Sequence, residues 1–388
     1  MATLLVSVLL GVPSSALLAK YVADFSVLAL VPCIFLLLRY VLARAPARSA
    51  AAGGNDVPWM VFVGAIITLL VIAFLIIYPM VNTSLPGRGS DRDDALNLAA
   101  AALLRGEYPY ADWTYLGNPI TTLPGAIIFA LPFVVLGNSA YQALPWLLAW
   151  IWAVRRAAAS RALAAAVVCV VLLSPETLRE TLSGGDLLVN GIYVCLSAAW
   201  LAHQAETAPQ KSGILLLAAV LFGLALASRP NFALVWPIVV ACVTRSAGLR
   251  SAIPVLLGSV GAAVAVTLPV YLINPSGFSP LHVASKLVFS SIPNSATVIM
   301  AASVSLSLLL AARSHRGRMM WDCAIACYLP FLLMAAFASL DARSLDSYGL
   351  GYSLCCLPFV GLAIAARQQQ PGHAPAVIGD IRRSGTIA

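Results

Sequence analysis

The sequence predicts an all-α, polytopic membrane protein, and three observations carry that expectation. Residues are 61% hydrophobic and 10% charged, whereas soluble domains carry roughly a quarter charged residues. Apolar stretches near the length of a bilayer-spanning helix, about 20 residues, recur from one end of the chain to the other. The charged residues that remain sort into alternating loops, the pattern that orients a chain in a bilayer.

Candidate spans run over 2–19, 24–43, 57–81, 139–155, 161–175, 187–203, 212–228, 231–245, 250–273, 295–313, 319–340 and 347–366. These twelve segments make one integral membrane domain over 1–367 with no separate soluble domain. Met1 to Ala19 lacks a basic leading region, so it is expected as a first helix rather than a cleaved signal. The longest non-spanning stretch is a first outer loop over about 82–118. Residues 119–137 are apolar enough to cross, but Pro119, Pro124 and Pro132 each remove a donor and crowd the preceding turn. A crossing there would also carry the basic run Arg155 to Arg161 to the outside. The segment is therefore expected as an interfacial or re-entrant element, which is tolerated where protein or a cavity satisfies its backbone. Residues 368–388 are polar and expected as a disordered cytoplasmic tail.

With these spans, fifteen of the 23 basic residues fall on one side: Arg39, Arg44, Arg48, Arg155, Arg156, Arg161, Lys211, Arg245, Arg250, Arg313, Arg316, Arg318, Arg367, Arg382 and Arg383. The positive-inside rule makes that side cytoplasmic and places both termini there, with a bacterial inner or plasma membrane as the expected location. Eleven of the fifteen acids face the other way: Asp24, Asp91, Asp93, Asp94, Glu107, Asp112, Glu176, Glu180, Asp186, Asp341 and Asp346. Lys20, Arg88, Arg92, Arg105, Arg179, Arg229, Lys286 and Arg343 join them. The net charge of +8 thus reports orientation rather than a nucleic-acid partner. The eight cysteines lie mostly inside apolar segments, without disulfide or zinc spacing. No Walker or Rossmann glycine pattern occurs, so no nucleotide is expected as a cofactor.

The acidic run Gly89-Ser90-Asp91-Arg92-Asp93-Asp94 is the feature that calls for chemistry. Ser90 and Asp93 have the spacing of a capping box, and acids in a first turn suit the helix dipole. Capping accounts for one or two acids, not for three beside a bilayer followed by the turn Tyr108-Pro109-Tyr110. A carboxylate here could serve as general base towards an acceptor hydroxyl. A second could orient the substrate or hold a divalent cation, Mg or Mn, with Asp91 and Asp93 as its ligands.

The order of motifs then matters: a long span, Asp91-Arg92-Asp93, an alanine-rich helix, Leu104-Arg105-Gly106-Glu107-Tyr108-Pro109-Tyr110, then Trp113-Thr114-Tyr115 and a proline-broken apolar stretch. This order resembles the first extracytoplasmic loop of GT-C superfamily glycosyltransferases, nearest to glycosyltransferase family 87 and the GPI mannosyltransferase I group. The resemblance is sharp over about 88–132 and rests elsewhere on helix count and looser motifs. It implies a GT-C-like fold and transfer of a sugar, mannose first, from a polyprenyl-phosphate donor to a hydroxyl on a glycan, lipid or protein outside the cytoplasm. Asp91 and Asp93 match the two acids of the family's Asp-x-Asp, one of them the base, with Asp94 adjoining. Arg92, Tyr108, Tyr110 and Tyr115 become candidate substrate contacts on the same ground.

Later loops follow the same implication. Leu182-Ser183-Gly184-Gly185-Asp186 with Asn190 lies where family 87 relatives show Gly-Gln-x-Asn, with Asp186 in place of the glutamine. Arg229 in Ser228-Arg229-Pro230-Asn231 could fork onto a lipid phosphate or snorkel to headgroups. Lys286, with His282 in the loop Asn274 to Asn294, is a candidate cation for the leaving phosphate. Arg343, in the polar run Asp341 to Tyr348, is a candidate sugar contact. Rival expectations are a multi-pass transporter or lipid flippase, a ligase or polymerase of cell-surface polysaccharide, and an inactive scaffold.

Overall fold

The computed structural model describes residues 2–19, 30–44, 57–83, 90–207, 212–343 and 349–367. Gly89 of the acidic run, Lys20, Asp24, Arg48, Arg88, Lys211, Asp346 and the tail 368–388 lie outside the described residues. The described chain is all helical, with isolated bridges at Trp113–Pro119 and Phe289–Ile292 as its only β pairing.

Helix α1 (Ala2–Ala19) and α2 (Leu30–Arg44) pack on each other, and α3 (Val57–Val81) follows. A surface unit comes next: α4 (Arg92–Leu104), a turn over 108–120 and α5 (Pro124–Val135). A 3-10 turn over Ser139–Gln142 leads into α6 (Ala143–Ala157), then α7 (Arg161–Leu172), α8 (Pro175–Leu182) and α9 (Leu187–Thr207). The rest are α10 (Ser212–Leu226), α11 (Trp236–Ala247), α12 (Leu249–Ile273), α13 (Ser295–Arg313), α14 (Arg316–Ala342) and α15 (Leu357–Arg367). Three more 3-10 segments, Pro230–Val235, Ser279–Leu287 and Leu350–Cys356, sit between them.

Six of these helical segments are long and apolar enough to cross a membrane, or eight if two bent pairs each count as one crossing. The bends are sharp: 103° between α5 and α6, and 70° between α7 and α8. The first falls where Gly137 takes a positive φ of 115° and the chain turns out of the proline-bearing segment. α2, α10 and α15, at 15, 15 and 11 residues, fall below the length for a full crossing, and α1, at 18 residues, lies at its lower limit.

Burial divides the helices by role. α9 is the central element, buried over 67% of its apolar window, whereas α3 is buried over 6% and α12 over 11%. Met60, Val61, Leu69, Leu75 and Met80 of α3 face outward, as suits a helix whose solvent is lipid. Hydrophobic burial between helices adds little in that solvent, so close packing of small residues matters more. Gly223 of α10 shows it: a Cβ there would lie 2.1 Å from the Ser259 carbonyl of α12.

The surface unit has its own small core. Ala95, Leu96, Ala99 and Ala100 of α4 pack on Ala126, Ile127 and Ala130 of α5, with Tyr110, Ile120 and Phe278 closing one side. α5 starts at Pro124, whose missing N–H costs nothing in a first turn. Its flanking donors do not face water: Leu123 and Gly125 give their backbone N–H groups to the carbonyls of Ser228 and Ala227 at 3.1 and 2.7 Å. This approach requires a glycine, because a Cβ at Gly125 would meet the Leu224 carbonyl at 2.2 Å. The end of α10 therefore docks the surface unit onto the bundle, and both ends of that contact lead into the polar cluster below.

Candidate functional site

Consecutive helices run up and down, so the acid-bearing segments meet at one end of the bundle. The end of α3, the start of α4, α8, the start of α9, the residues after α10 and the 3-10 segments before α13 and α15 all contribute. The opposite end carries Arg155, Arg156, Arg161, Arg245, Arg313, Arg316 and Arg318.

The three neighbouring aspartates separate by helical geometry. Residues three apart lie on one face of a first turn, while the residue between them points elsewhere. Asp91 and Asp94 turn towards the 113–118 loop. Asp91 Oδ2 accepts from Thr114 Oγ1 and Asn118 Nδ2, both at 2.7 Å, and Asp94 Oδ2 accepts from the Tyr115 N–H at 2.9 Å. These bonds brace a tight turn in which Gly117 takes φ 73° and donates to the Thr114 carbonyl at 2.7 Å.

Asp93 turns the other way and is only 4% exposed. Its Oδ2 accepts from the Tyr78 hydroxyl and from Asn82 Nδ2, both at the end of α3. Its Oδ1 is buried and has no hydrogen-bond partner. Burial pushes the Asp93 carboxyl up to about 6, against the Tyr78 hydrogen bond that pulls it down. Gly184 closes the other side with φ 79°: a Cβ there would lie 2.7 Å from the Tyr78 ring and 3.1 Å from Asp93 Cγ. The expected capping box does not form. Asp91 is the cap residue, its side chain making no bond to the helix's own N–H groups, and Ser90 accepts from the Arg92 N–H at 3.4 Å. The box fails because Asp93 is drawn to α3 instead.

Between the two carboxylate directions, Arg92 reaches Glu180 at 2.5 Å, a pair with Glu180 fully buried. Arg179 forks onto Glu176 at 2.6 and 2.9 Å on the same short helix, and Glu180 Oε1 also accepts the Leu187 N–H at the start of α9. Gly185 makes room for that carboxylate, since a Cβ there would meet it at 2.2 Å. The Arg92 guanidinium lies 5.2 Å from the centre of the Tyr352 ring, and Lys286 Nζ lies 5.9 Å from the same ring. One aromatic ring thus gathers cations from two segments far apart in sequence.

Asp186 is fully buried and takes Arg229 as its partner; Asn190 donates to Asp186 at 2.9 Å and accepts from Tyr193 at 2.6 Å. Arg229 Nε is buried without a partner, as is Asn82 Oδ1. Buried polar atoms without partners are uncommon, and three of them border this cluster: Asp93 Oδ1, Asn82 Oδ1 and Arg229 Nε.

Of the residues singled out in the sequence, Arg92, Asp93, Asp186, Asn190, Arg229 and Lys286 come together here. Asp91, Asp94 and Tyr115 form the adjoining turn. Tyr108 and Tyr110 serve the surface unit: their hydroxyls donate to the Asn274 and Thr122 carbonyls at 3.0 and 2.9 Å, and Tyr110 meets Phe278 edge to face. Arg343 stands exposed past α14, in a left-handed conformation with φ 53°. Sequence reading missed Tyr78, Asn82, Asn138, Glu176, Glu180 and Tyr352 as members of the cluster. Tyr78 and Asn82 are four apart at the end of an apolar span, and Glu176 and Glu180 are four apart on a short polar helix. That periodicity is the signal that marks one face. Tyr352 carries no such signal.

Among the described residues, no three His, Cys, Asp or Glu side chains gather as a group able to hold a metal ion. Asp91 and Asp93 present their bonded oxygens to different partners. Comparison with protein-family models, curated proteins and solved structures finds no match to this chain.

Proposed function

We propose that the protein is a membrane glycosyltransferase of GT-C type. It would move a sugar from a polyprenyl-phosphate donor to a hydroxyl acceptor on the extracytoplasmic side. The single observation that carries the reading is Asp93: a buried carboxylate with one oxygen bound and one oxygen free, in a setting that raises its affinity for protons. A group poised near neutral pH suits general-base work.

In this mechanism Asp93 Oδ1 takes the proton of the acceptor hydroxyl, and the acceptor oxygen bonds to the sugar's anomeric carbon. The bond from that carbon to the phosphate oxygen breaks, and polyprenyl phosphate leaves with the electron pair. Lys286, beside Tyr352, would meet the charge that develops on the phosphate. Arg92 and Arg229 are each neutralised by a buried carboxylate, Glu180 and Asp186, and act by shaping the site wall. Asp91 and Asp94 hold the 113–118 turn, which would border the acceptor side. The lipid donor removes the need for a nucleotide site.

The twelve-span reading belongs to the same proposal. Counting α1, α2, α6, α7, α10 and α15 with the six long segments reaches that number. The α5 segment would be the interfacial element, both termini cytoplasmic and the basic end inside. The sugar is mannose in first place, with arabinofuranose, glucose and galacturonic acid as further candidates, and the product a cell-envelope glycan.

The runner-up, a transporter or lipid flippase, draws on Asp322. It lies near the start of α14, fully buried; neither carboxylate oxygen accepts a hydrogen bond, and Arg318 pairs with it at 3.5 Å. An ionisable group inside a spanning helix is the mark of a transport pathway. The unsubstituted protein, reconstituted, should transfer sugar from a radiolabelled polyprenyl-phosphate donor, which a transporter would not, and Asp93→Asn should abolish that transfer while still folding. Full transfer by that variant would exclude Asp93 as the base.

A further inference from the structure

The Asp93 carboxylate is not held symmetrically. Its two side-chain donors, the Tyr78 hydroxyl and Asn82 Nδ2, both bind Oδ2, and Oδ1 is left buried without a hydrogen-bond partner. Tyr78 is itself held from behind. Its hydroxyl accepts from Asn138 Nδ2 at 2.6 Å. Asn138 Oδ1 in turn accepts from Asn97 Nδ2 at 3.3 Å and from the Ala140 N–H at 2.9 Å. Asn97 Oδ1 accepts the Ser139 N–H at 2.8 Å, and Ser139 Oγ donates back to the Asp93 carbonyl at 3.1 Å. The ring closes on the residue where it began, and it spans α3, α4 and the sharp bend between α5 and α6.

A tyrosine hydroxyl can donate only one proton. Because Asn138 occupies it as a donor, the Tyr78 proton is committed to Asp93 Oδ2. Asn138 thereby fixes the direction of the bond, and the bond fixes which oxygen turns away from α3. The titratable groups around the carboxylate are Tyr78 from α3, Asp94 from its own helix and Tyr115 from the 113–118 turn. None of them reaches Oδ1.

We propose that Tyr78 and Asn138 are positioning residues, which lock Asp93 Oδ2 against α3 so that Oδ1 is the oxygen presented to a substrate hydroxyl. The idea deepens the glycosyltransferase reading and rests on it only for the identity of that hydroxyl. α3 is the span least packed against the bundle, buried over 6% of its window. The Tyr78 and Asn82 bonds therefore decide where the end of α3 stands relative to Asp93.

The test uses full-length protein in lipid nanodiscs. Dicyclohexylcarbodiimide, which modifies protonated carboxyls in apolar surroundings, is applied across pH 4–9, and labelling of Asp93 is read by peptide mass spectrometry. Tyr78→Phe should move the labelling midpoint upward by about one pH unit, the size expected for loss of one hydrogen bond to a carboxylate. Asn138→Ala should move it the same way by less, and it keeps the test open if Tyr78→Phe fails to fold. In a transfer assay both variants should lower kcat with little change in KM, and the acid limb of the pH profile should move with the labelling midpoint. An unmoved midpoint in a folded variant of either residue overturns the proposal. If the midpoint moves while the unsubstituted protein transfers no sugar, the positioning chain stands and the glycosyltransferase reading fails. If Asp93→Asn is inactive and the midpoint stays, the reverse holds.

Discussion

One guanidinium nitrogen of Arg229 lies 2.5 and 2.7 Å from the two carboxylate oxygens of Asp186, across 43 residues of sequence. Asp186 has no exposure and Arg229 retains 11%. A pair this deep is costly to assemble and costlier to break, because removing one member leaves an uncompensated charge.

Arg229→Ala should therefore destabilise the folded protein by about 3–5 kcal/mol, read as a lowered thermal midpoint in detergent or nanodiscs. The double variant Asp186→Asn with Arg229→Gln should recover part of that loss, since no net charge remains buried. If Arg229 instead carries the donor phosphate, Arg229→Ala would lose transfer with its melting unchanged.

The second prediction concerns pH. Burial raises the Asp93 carboxyl to about 6, so the carboxylate is the minority form below that pH and the base is lost as pH falls through 6. Sugar transfer should show an acid limb half-maximal near pH 6, against about 3.9 for an unperturbed aspartate. For stability the sign is the reverse of a paired carboxylate. Binding a proton more tightly in the folded state adds stability at low pH, and that contribution fades as pH rises through 6. Asp91→Asn should loosen the 113–118 turn and lower transfer without moving the limb, because its bonds run to Thr114 and Asn118. Asp94→Asn frees Tyr115 in the same turn but also removes a negative charge that raises Asp93, and should move the limb to lower pH.

Gly184 gives a steric prediction. Its φ of 79° disfavours any side chain by roughly 1–2 kcal/mol, and a Cβ would also press the Tyr78 ring from 2.7 Å. Gly184→Ala should lower the thermal midpoint and reduce transfer more than Gly213→Ala, whose Cβ would meet nothing within 4 Å.

Orientation can be read chemically. Trp113 is 64% exposed in the loop beside Asp91, so Trp113→Cys, in a background with Cys33 replaced because that thiol is also exposed, offers an accessible thiol. A membrane-impermeant maleimide should label it from outside intact cells. Labelling only after permeabilisation would place the acidic cluster in the cytoplasm and remove the lipid-donor argument.

Much of this protein is legible in its sequence for a simple reason: hydrophobicity and loop charge are local and additive. The helical class, the membrane setting and the polarity of the two ends follow from where apolar runs stop and which charges flank them. Asp91 to Asp94 also announced themselves, because carboxylates beside a bilayer need a physical excuse. Length and composition count crossings less well. The bends of 103° and 70° depend on packing that no window of residues contains.

What only the tertiary structure decided is which of the neighbouring acids matters and how. A first helical turn sends Asp91 and Asp94 to one side and Asp93 to the other, but nothing in the run says that the other side holds Tyr78, Asn82 and Gly184. Arg229 illustrates the same limit. Its sequence position suggested a phosphate, and its fold position gives it Asp186. Charge, apolar length and helical period are properties of a segment, and the sequence alone determined those. A carboxylate's partners, its burial and its free oxygen are properties of several segments at once, and they exist only when the bundle brings those helix ends together.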